Sequence, residues 1–153
     1  MSYLLSKSRK DHPEKNGEVQ KITPKTANWE YVGFEMYHLQ EEQELTFDTE
    51  NTETCFVLVA GKATIVTSQA TFEHIGNRAS PFERIPPYSV YVPHQQKVQI
   101  KAESYLELAV CRCSRPRILG NVTAKSGNSK KSIISHFKRI LTANFEKIKR
   151  PLN

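Results

Sequence analysis

The five histidines are the first residues to consider for chemistry, because imidazole binds metal ions and moves protons near neutral pH. Two histidines separated by one residue on a strand would share a face and could hold a metal ion together. No two histidines of this chain have that spacing; they are His12, His38, His74, His94 and His136. Spacing therefore predicts no metal ligand and no catalytic residue, and convergence of His38, His74 and His94 from separate strands is the alternative.

The three cysteines are the next candidates, for thiolate or metal chemistry. Cys111 and Cys113 lie two apart in a predicted strand and share a face, while Cys55 is distant in sequence. A thiolate or metal pair is one interpretation, but no further Cys or His stands at a supporting spacing, so we interpret all three as packing residues kept reduced. Nucleophile and phosphate motifs add no candidate, because GxSxG, GxGxxG and Walker patterns do not occur.

The elements that would position these side chains are predicted to be strands. Residues 30–113 consist mainly of short segments of alternating polarity between turn residues, which is typical of an antiparallel sandwich or barrel. In CFVLVAGKATIV we predict two buried strands joined by a tight turn at Gly61 and Lys62. Pro87 and Pro93 bound a predicted five-residue strand, since proline cannot donate to a sheet ladder. The segment SYLELAVCRC is predicted to be the last strand of the sheet, with Leu106, Leu108 and Val110 on one face.

Three regions follow from this pattern: an arm at residues 1–26, a barrel at residues 27–119, and a linker with a helical tail at residues 120–153. A core of roughly 120 residues is large enough to fold without disulfide or metal staples. In the tail, apolar residues recur at spacings of three, four and seven, which predicts an amphipathic helix; they are Ile133, Phe137, Ile140, Leu141, Phe145 and Ile148.

The excess positive charge is confined to that tail. The chain has a net charge of +6, and residues 130–153 carry seven basic residues against Glu146 alone, which leaves the rest neutral. A neutral body lacks the footprint of a nucleic-acid-binding domain. We expect the basic helix to pack on the barrel or on a second copy, with a membrane surface or nucleic acid as alternatives. No apolar run predicts a membrane span and the polar start is unlike a secretory signal, so we expect a cytoplasmic protein.

Several longer segments resemble one enzyme family. They are MSYLLSKS at the start, EYVGFEMYHL, TETCFVLVAGKATI and, above all, IGNRASPFE followed by VYVP. Together they are similar to the amino-terminal half of 5-deoxy-glucuronate isomerase, a two-barrel cupin enzyme of inositol breakdown. The resemblance runs from Met1 to about Cys113. It implies an all-β cupin fold, a double-stranded β-helix or jelly-roll-like barrel, to which the tail would add a C-terminal amphipathic helix.

The resemblance implies a reaction and a metal. These enzymes interconvert an aldose and a ketose sugar acid, and a divalent metal suits that reaction because it polarises the carbonyl and stabilises the developing negative charge. The family's metal site belongs to the carboxyl-terminal barrel. We therefore expect no cofactor within these 153 residues.

The resemblance also suggests a sugar-acid site at Arg78, Glu83 and Tyr91. Arg78 would hold the carboxylate by two parallel hydrogen bonds, and Glu83 or Tyr91 would contact hydroxyl groups. In the structural alternative, which we favour, Arg78 and Glu83 pair across a loop and hold the entry into the next strand.

Two functional hypotheses follow. In the first, the chain is a member or truncated remnant of 5-deoxy-glucuronate isomerase that lacks the metal-binding half and is inactive alone. In the second, it is a stand-alone single-cupin module that binds a sugar acid or dimerises. Self-association is expected in either case, through an apolar surface left by the missing barrel or through the tail helix.

Overall fold

The computed structural model describes residues 6–7 and 10–114. Within them the chain forms eight strands and one short helix. In order these are β1 Glu18–Ile22, α1 Pro24–Ala27, β2 Val32–Leu39, β3 Glu44–Asp48, β4 Thr52–Thr67, β5 Thr71–Arg78, β6 Tyr88–Val92, β7 Lys97–Ala102 and β8 Leu106–Ser114. The predicted C-terminal helix lies outside the described residues.

The strands form two antiparallel layers that share β4. Sheet A has the order β1-β2-β8-β4-β6, and sheet B has the order β3-β7-β4-β5. The first part of β4 pairs with β8 and β6, and its last part pairs with β7 and β5. Two antiparallel sheets joined through one strand enclose a barrel of the jelly-roll type. The predicted all-β cupin barrel is thereby confirmed.

The core lies between the two sheets and takes alternate residues from each strand. Its fully buried members include Phe56, Leu58, Leu106, Leu108 and Val110 from sheet A and Ile65, Val98 and Ile100 from sheet B. Burial of each such side chain stabilises the fold by about 1.5–3 kcal/mol. Because successive side chains of a strand point to opposite sides, the residues between them form an outer face on each sheet.

The predicted tight turn at Gly61 and Lys62 is wrong. β4 is continuous from Thr52 to Thr67. Its register shifts between Leu58 and Ala60 in sheet A and between Gly61 and Ala63 in sheet B. Gly61 has a φ of +96°, so it serves a bulge at which the strand passes from one sheet to the other. A single strand with a bulge at Gly61 shows the same apolar run in its sequence as two strands joined in a hairpin.

The proline-bounded strand is confirmed, because β6 occupies the residues between Pro87 and Pro93. β1 pairs with β2 at the edge of sheet A, so residues 18–22 of the region predicted as an arm belong to the sheet. No helix of the described part of the chain is long and apolar enough to cross a membrane.

Candidate functional site

Arg78 and Glu83 both hold the loop that follows β5. Arg78 donates from Nη2 to the carbonyl oxygen of Pro81. The Glu83 carboxylate accepts hydrogen bonds from the backbone N–H groups of Ala79 and Ser80, at 2.8 and 3.1 Å. Both side chains therefore bind backbone groups of one loop. The Nε atom of Arg78 is buried and has no hydrogen-bond partner among the described residues.

Tyr91 lies elsewhere, on β6, and 41% of its surface is exposed. Its register partner is Cys55 of β4. It lines a shallow groove of about 70 Å³ together with Thr67, Gln69, Ala70, Phe72, Val92, Pro93 and Gln96. Ligand pockets commonly measure roughly 300–1,000 Å³, so this groove is too small to enclose a sugar acid. The structure thus brings Arg78 and Glu83 to one loop and places Tyr91 on a strand of sheet A.

A charged network that was not predicted joins β1, β2 and β8. Glu35 is 7% exposed and shares the core-facing side of β2 with Tyr37. Its carboxylate accepts a hydrogen bond from the Tyr37 hydroxyl at 2.9 Å and lies 3.3 Å from Nε of Arg112. Nζ of Lys21 is 3.8 Å from the same carboxylate. A carboxylate, a guanidinium, an ammonium and a phenol therefore meet at one edge of the core.

The network extends from Arg112 to the backbone of Asp48 and to the Phe47 ring. Arg112 donates from Nη1 to the carbonyl oxygen of Asp48 at 3.1 Å, and its guanidinium lies 5.9 Å from the centre of the Phe47 ring. Burial, and then the nearby Glu35 carboxylate, raise the pKa of Tyr37, which keeps its phenol protonated and able to donate. Nε of Arg112 makes no hydrogen bond within the described residues, so Arg112 meets Glu35 as an ion pair. The other contacts hold these groups to one another, and the arrangement stabilises the barrel in preference to offering a ready ligand site.

A second polar cluster lies on sheet B. Nδ1 of His74 is 2.8 Å from one oxygen of Glu103, and the Thr64 hydroxyl donates to the other. His74 has a φ of +52°, a left-handed conformation that non-glycine residues rarely adopt. The hydrogen bond to Glu103 raises the pKa of His74, and hydrogen bonds from Thr64 and then His74 lower the pKa of Glu103.

We expect His74 to titrate above its ordinary pKa of 6.5, because the adjacent carboxylate favours the imidazolium. The stabilisation from this pair is then present below pH 6.5 and is lost as the pH rises through the raised pKa. Histidine NMR titration should show the His74 pKa falling in Glu103→Gln and unchanged in Glu44→Gln. An unchanged pKa of His74 in the Glu103→Gln variant would contradict the pairing.

The described residues do not fit the divalent metal that the family implies. Between residues 10 and 114, no group of three or more His, Cys, Asp or Glu side chains is arranged to hold a metal ion. His74 is engaged with Glu103, and the His38 ring packs against the Tyr105 ring at 5.9 Å. No step of a reaction is assigned to a metal in this barrel.

The three cysteines are free thiols and are half-buried. Burial raises the pKa of each thiol, to about 11 for Cys55. A protonated thiol is a poor nucleophile and a poor metal ligand. These environments agree with the interpretation of the cysteines as packing residues.

The sequence pattern of the KduI/IolB family matches residues 4–127 of the chain. The chain belongs to the KduI/IolB family. Among curated KduI/IolB relatives, the 5-deoxy-glucuronate isomerase of Geobacillus thermodenitrificans is 50% identical over 99 residues, and that of Geobacillus kaustophilus is 44% identical over 111 residues. A crystal structure of an IolB-like protein from Salmonella typhimurium superposes with a TM-score of 0.66 at 41% identity.

The matches cover most of this chain but less than half of each KduI/IolB relative. They include 65% and 72% of this chain against 36% and 40% of the two Geobacillus enzymes. For the Salmonella protein the shares are 76% of this chain and 42% of that one. The chain therefore spans about two fifths of the length of these relatives, and the predicted family resemblance is confirmed over that part.

Proposed function

We propose that this chain forms the amino-terminal barrel of a 5-deoxy-glucuronate isomerase, and that these 153 residues do not perform the aldose–ketose conversion by themselves. The 50% identity over 99 residues with an enzyme of that name carries the proposal. Inositol breakdown in the cytoplasm would be the setting, in line with three reduced cysteines.

In this proposal the barrel supplies structure to the enzyme. The conversion needs one group that polarises the carbonyl oxygen and another that moves hydrogen between adjacent carbons. The charged groups inside the barrel are already paired, as Glu35 is with Arg112 and Tyr37. We therefore expect the reacting groups to come from outside residues 10–114.

A stand-alone sugar-acid-binding module is the second candidate, and one observation favours it. The buried Nε of Arg78 has no hydrogen-bond partner within the described region, and a guanidinium with a free donor is suited to a carboxylate. Glu83 and Tyr91 would then contact hydroxyl groups. Glu83 would first have to release the backbone of Ala79 and Ser80.

Thermal unfolding with glucuronate, in the presence and absence of Zn²⁺ or Mn²⁺, separates the two candidates. The isomerase-barrel proposal predicts no change in Tm, because a bound ligand raises Tm only where a site for it exists in the native state. A rise of several degrees without metal, lost in Arg78→Lys and kept in the exposed control Arg84→Lys, would instead support the module and contradict the first proposal.

Self-association is part of the proposal. A barrel that docks onto a further part of an enzyme keeps an apolar docking surface, and such surfaces favour association when they are exposed. We expect light scattering to detect dimers or larger species of the 153-residue chain. A monomer at high concentration would contradict this.

A further inference from the structure

The outer face of sheet B is polar, as expected for an antiparallel sheet that faces water. On β3 and β7, side chains of opposite charge or similar polarity lie opposite one another. Lys101 also forms an ion pair with Glu42, at 2.7 Å. The cross-strand partners are Glu44 with Lys101, Thr46 with Gln99, and Asp48 with Lys97. Such pairs stabilise a solvated face.

The outer face of sheet A is apolar. Two rows of apolar side chains cross β2, β8, β4 and β6 in register. The first row is Phe34, Cys111, Cys55 and Tyr91; the second is Met36, Ala109 and Val57, ending at Ser89. A shorter third row holds Val32, Cys113 and Glu53. All three cysteines of the chain therefore lie on this face.

The contrast between the two faces indicates that sheet A is covered in the assembled protein. An antiparallel sheet with one solvated face alternates apolar and polar residues, as β3 and β7 do. On β4 and β8 the apolar character continues on both sides of the sheet. The carboxylates and the histidine on this face, Glu53, Glu107 and His38, belong to rows at its two margins, and Glu53 is buried.

We infer that the outer face of sheet A binds the same face of a second copy of this chain. The inference rests on the self-association proposed above and names its surface. An apolar face is best covered by another apolar face, and an identical face related by two-fold symmetry meets that need through sheet-on-sheet stacking.

The area of the face is sufficient for a weak dimer. The first two rows continue onto β1, where Ile22 lies opposite Phe34 and Gln20 lies opposite Met36. Five strands at about 4.8 Å spacing and about six residues of strand length give roughly 500 Å² per copy, or about 1,000 Å² for the pair. Specific interfaces begin at about that size, and small ones are transient. We therefore expect association that depends on protein concentration.

β4 offers a matched pair of substitutions, since it contributes a valine to each outer face. Val57 lies on the outer face of sheet A and Val66 on that of sheet B. Val57→Lys would place an unpaired charge within the apolar interface, while Val66→Lys would place it on a polar face. Sedimentation equilibrium of the full chain should show dimerisation weakened at least about a hundredfold in Val57→Lys and unchanged in Val66→Lys.

The cysteines provide an independent readout without labels. Because they lie in the proposed interface, their reaction with N-ethylmaleimide should slow as the wild-type concentration rises, and it should not depend on concentration in Val57→Lys. Circular dichroism of the variant checks that it folds, and Met36→Lys, in the same row, replaces it if it does not.

The outcomes distinguish the proposed sheet A interface from the proposal of self-association. A dimer lost in Val57→Lys and kept in Val66→Lys supports the interface. A monomer at every concentration overturns self-association, and the interface with it. Equal dimerisation of both variants overturns the interface and leaves self-association standing. Thiols protected in a monomer would mean that another part of the chain covers the face, which also overturns the interface.

Discussion

Replacing Gly61 by alanine is expected to destabilise the barrel by about 3 kcal/mol or more. At a φ of +96°, a side chain is strained, at a cost of about 1–3 kcal/mol. A Cβ atom would also lie 2.1 Å from the carbonyl oxygen of Tyr105 and 2.8 Å from Cα of Leu106. Both neighbours are backbone atoms of the β7–β8 connection and the start of β8, so relief of the clash would displace that part of sheet A.

Gly33 is the matched control, because it is also a glycine within a strand. Its φ is outside the left-handed region, and the nearest atom to an added Cβ would be the Ile22 carbonyl oxygen at 3.5 Å, an ordinary contact. Gly33→Ala should therefore change stability by no more than about 1 kcal/mol. Urea unfolding followed by circular dichroism compares the two. Equal free energies of unfolding for Gly61→Ala and Gly33→Ala would contradict a bulge in β4 at Gly61.

Removal of the Glu35 carboxylate is the second large effect. Glu35→Ala is expected to lower the free energy of unfolding by about 3 kcal/mol, because loss of one partner leaves the other buried charge uncompensated. The side chain of Arg112 is 22% exposed, which places the loss at the lower end of the usual 3–5 kcal/mol range. The Tyr37 hydroxyl would lose its acceptor as well.

Two comparisons isolate this network by chemical denaturation. Glu44→Ala removes an exposed glutamate of β3 and should cost less than about 0.5 kcal/mol. The double variant Glu35→Ala with Arg112→Ala should lose less than the sum of the single losses, since the two residues are coupled. A Glu35→Ala variant as stable as Glu44→Ala would show that the network contributes nothing.

The features predicted correctly are those set by local sequence. β6 lies between two prolines because proline interrupts a ladder wherever the strand is placed. The alternation of residues along the strand predicts that Leu106, Leu108 and Val110 share one face, and all three are fully buried. Arg78 and Glu83 each bind backbone groups of the loop in place of the predicted pairing with one another.

The features missed depend on register between distant strands. Glu35 and Arg112 meet because β2 pairs with β8, and no local pattern specifies that pairing. One signal was present, since Arg112 continues the inward phase of Val110. The sequence around Gly61 predicts a turn where the structure has a bulge, because a hairpin and a bulge both require a residue with positive φ. His74 and Glu103, 29 residues apart, meet only through the fold.

The most direct test of the central claim is an aldose–ketose isomerase assay of the purified 153-residue chain on 5-deoxy-glucuronate, with added Zn²⁺ or Mn²⁺. The full-length Geobacillus thermodenitrificans enzyme serves as the positive control. We expect turnover by the control and none by this chain, at any metal concentration. Turnover by this chain that follows the protein through purification would show that these residues hold a complete active site, and would contradict the account.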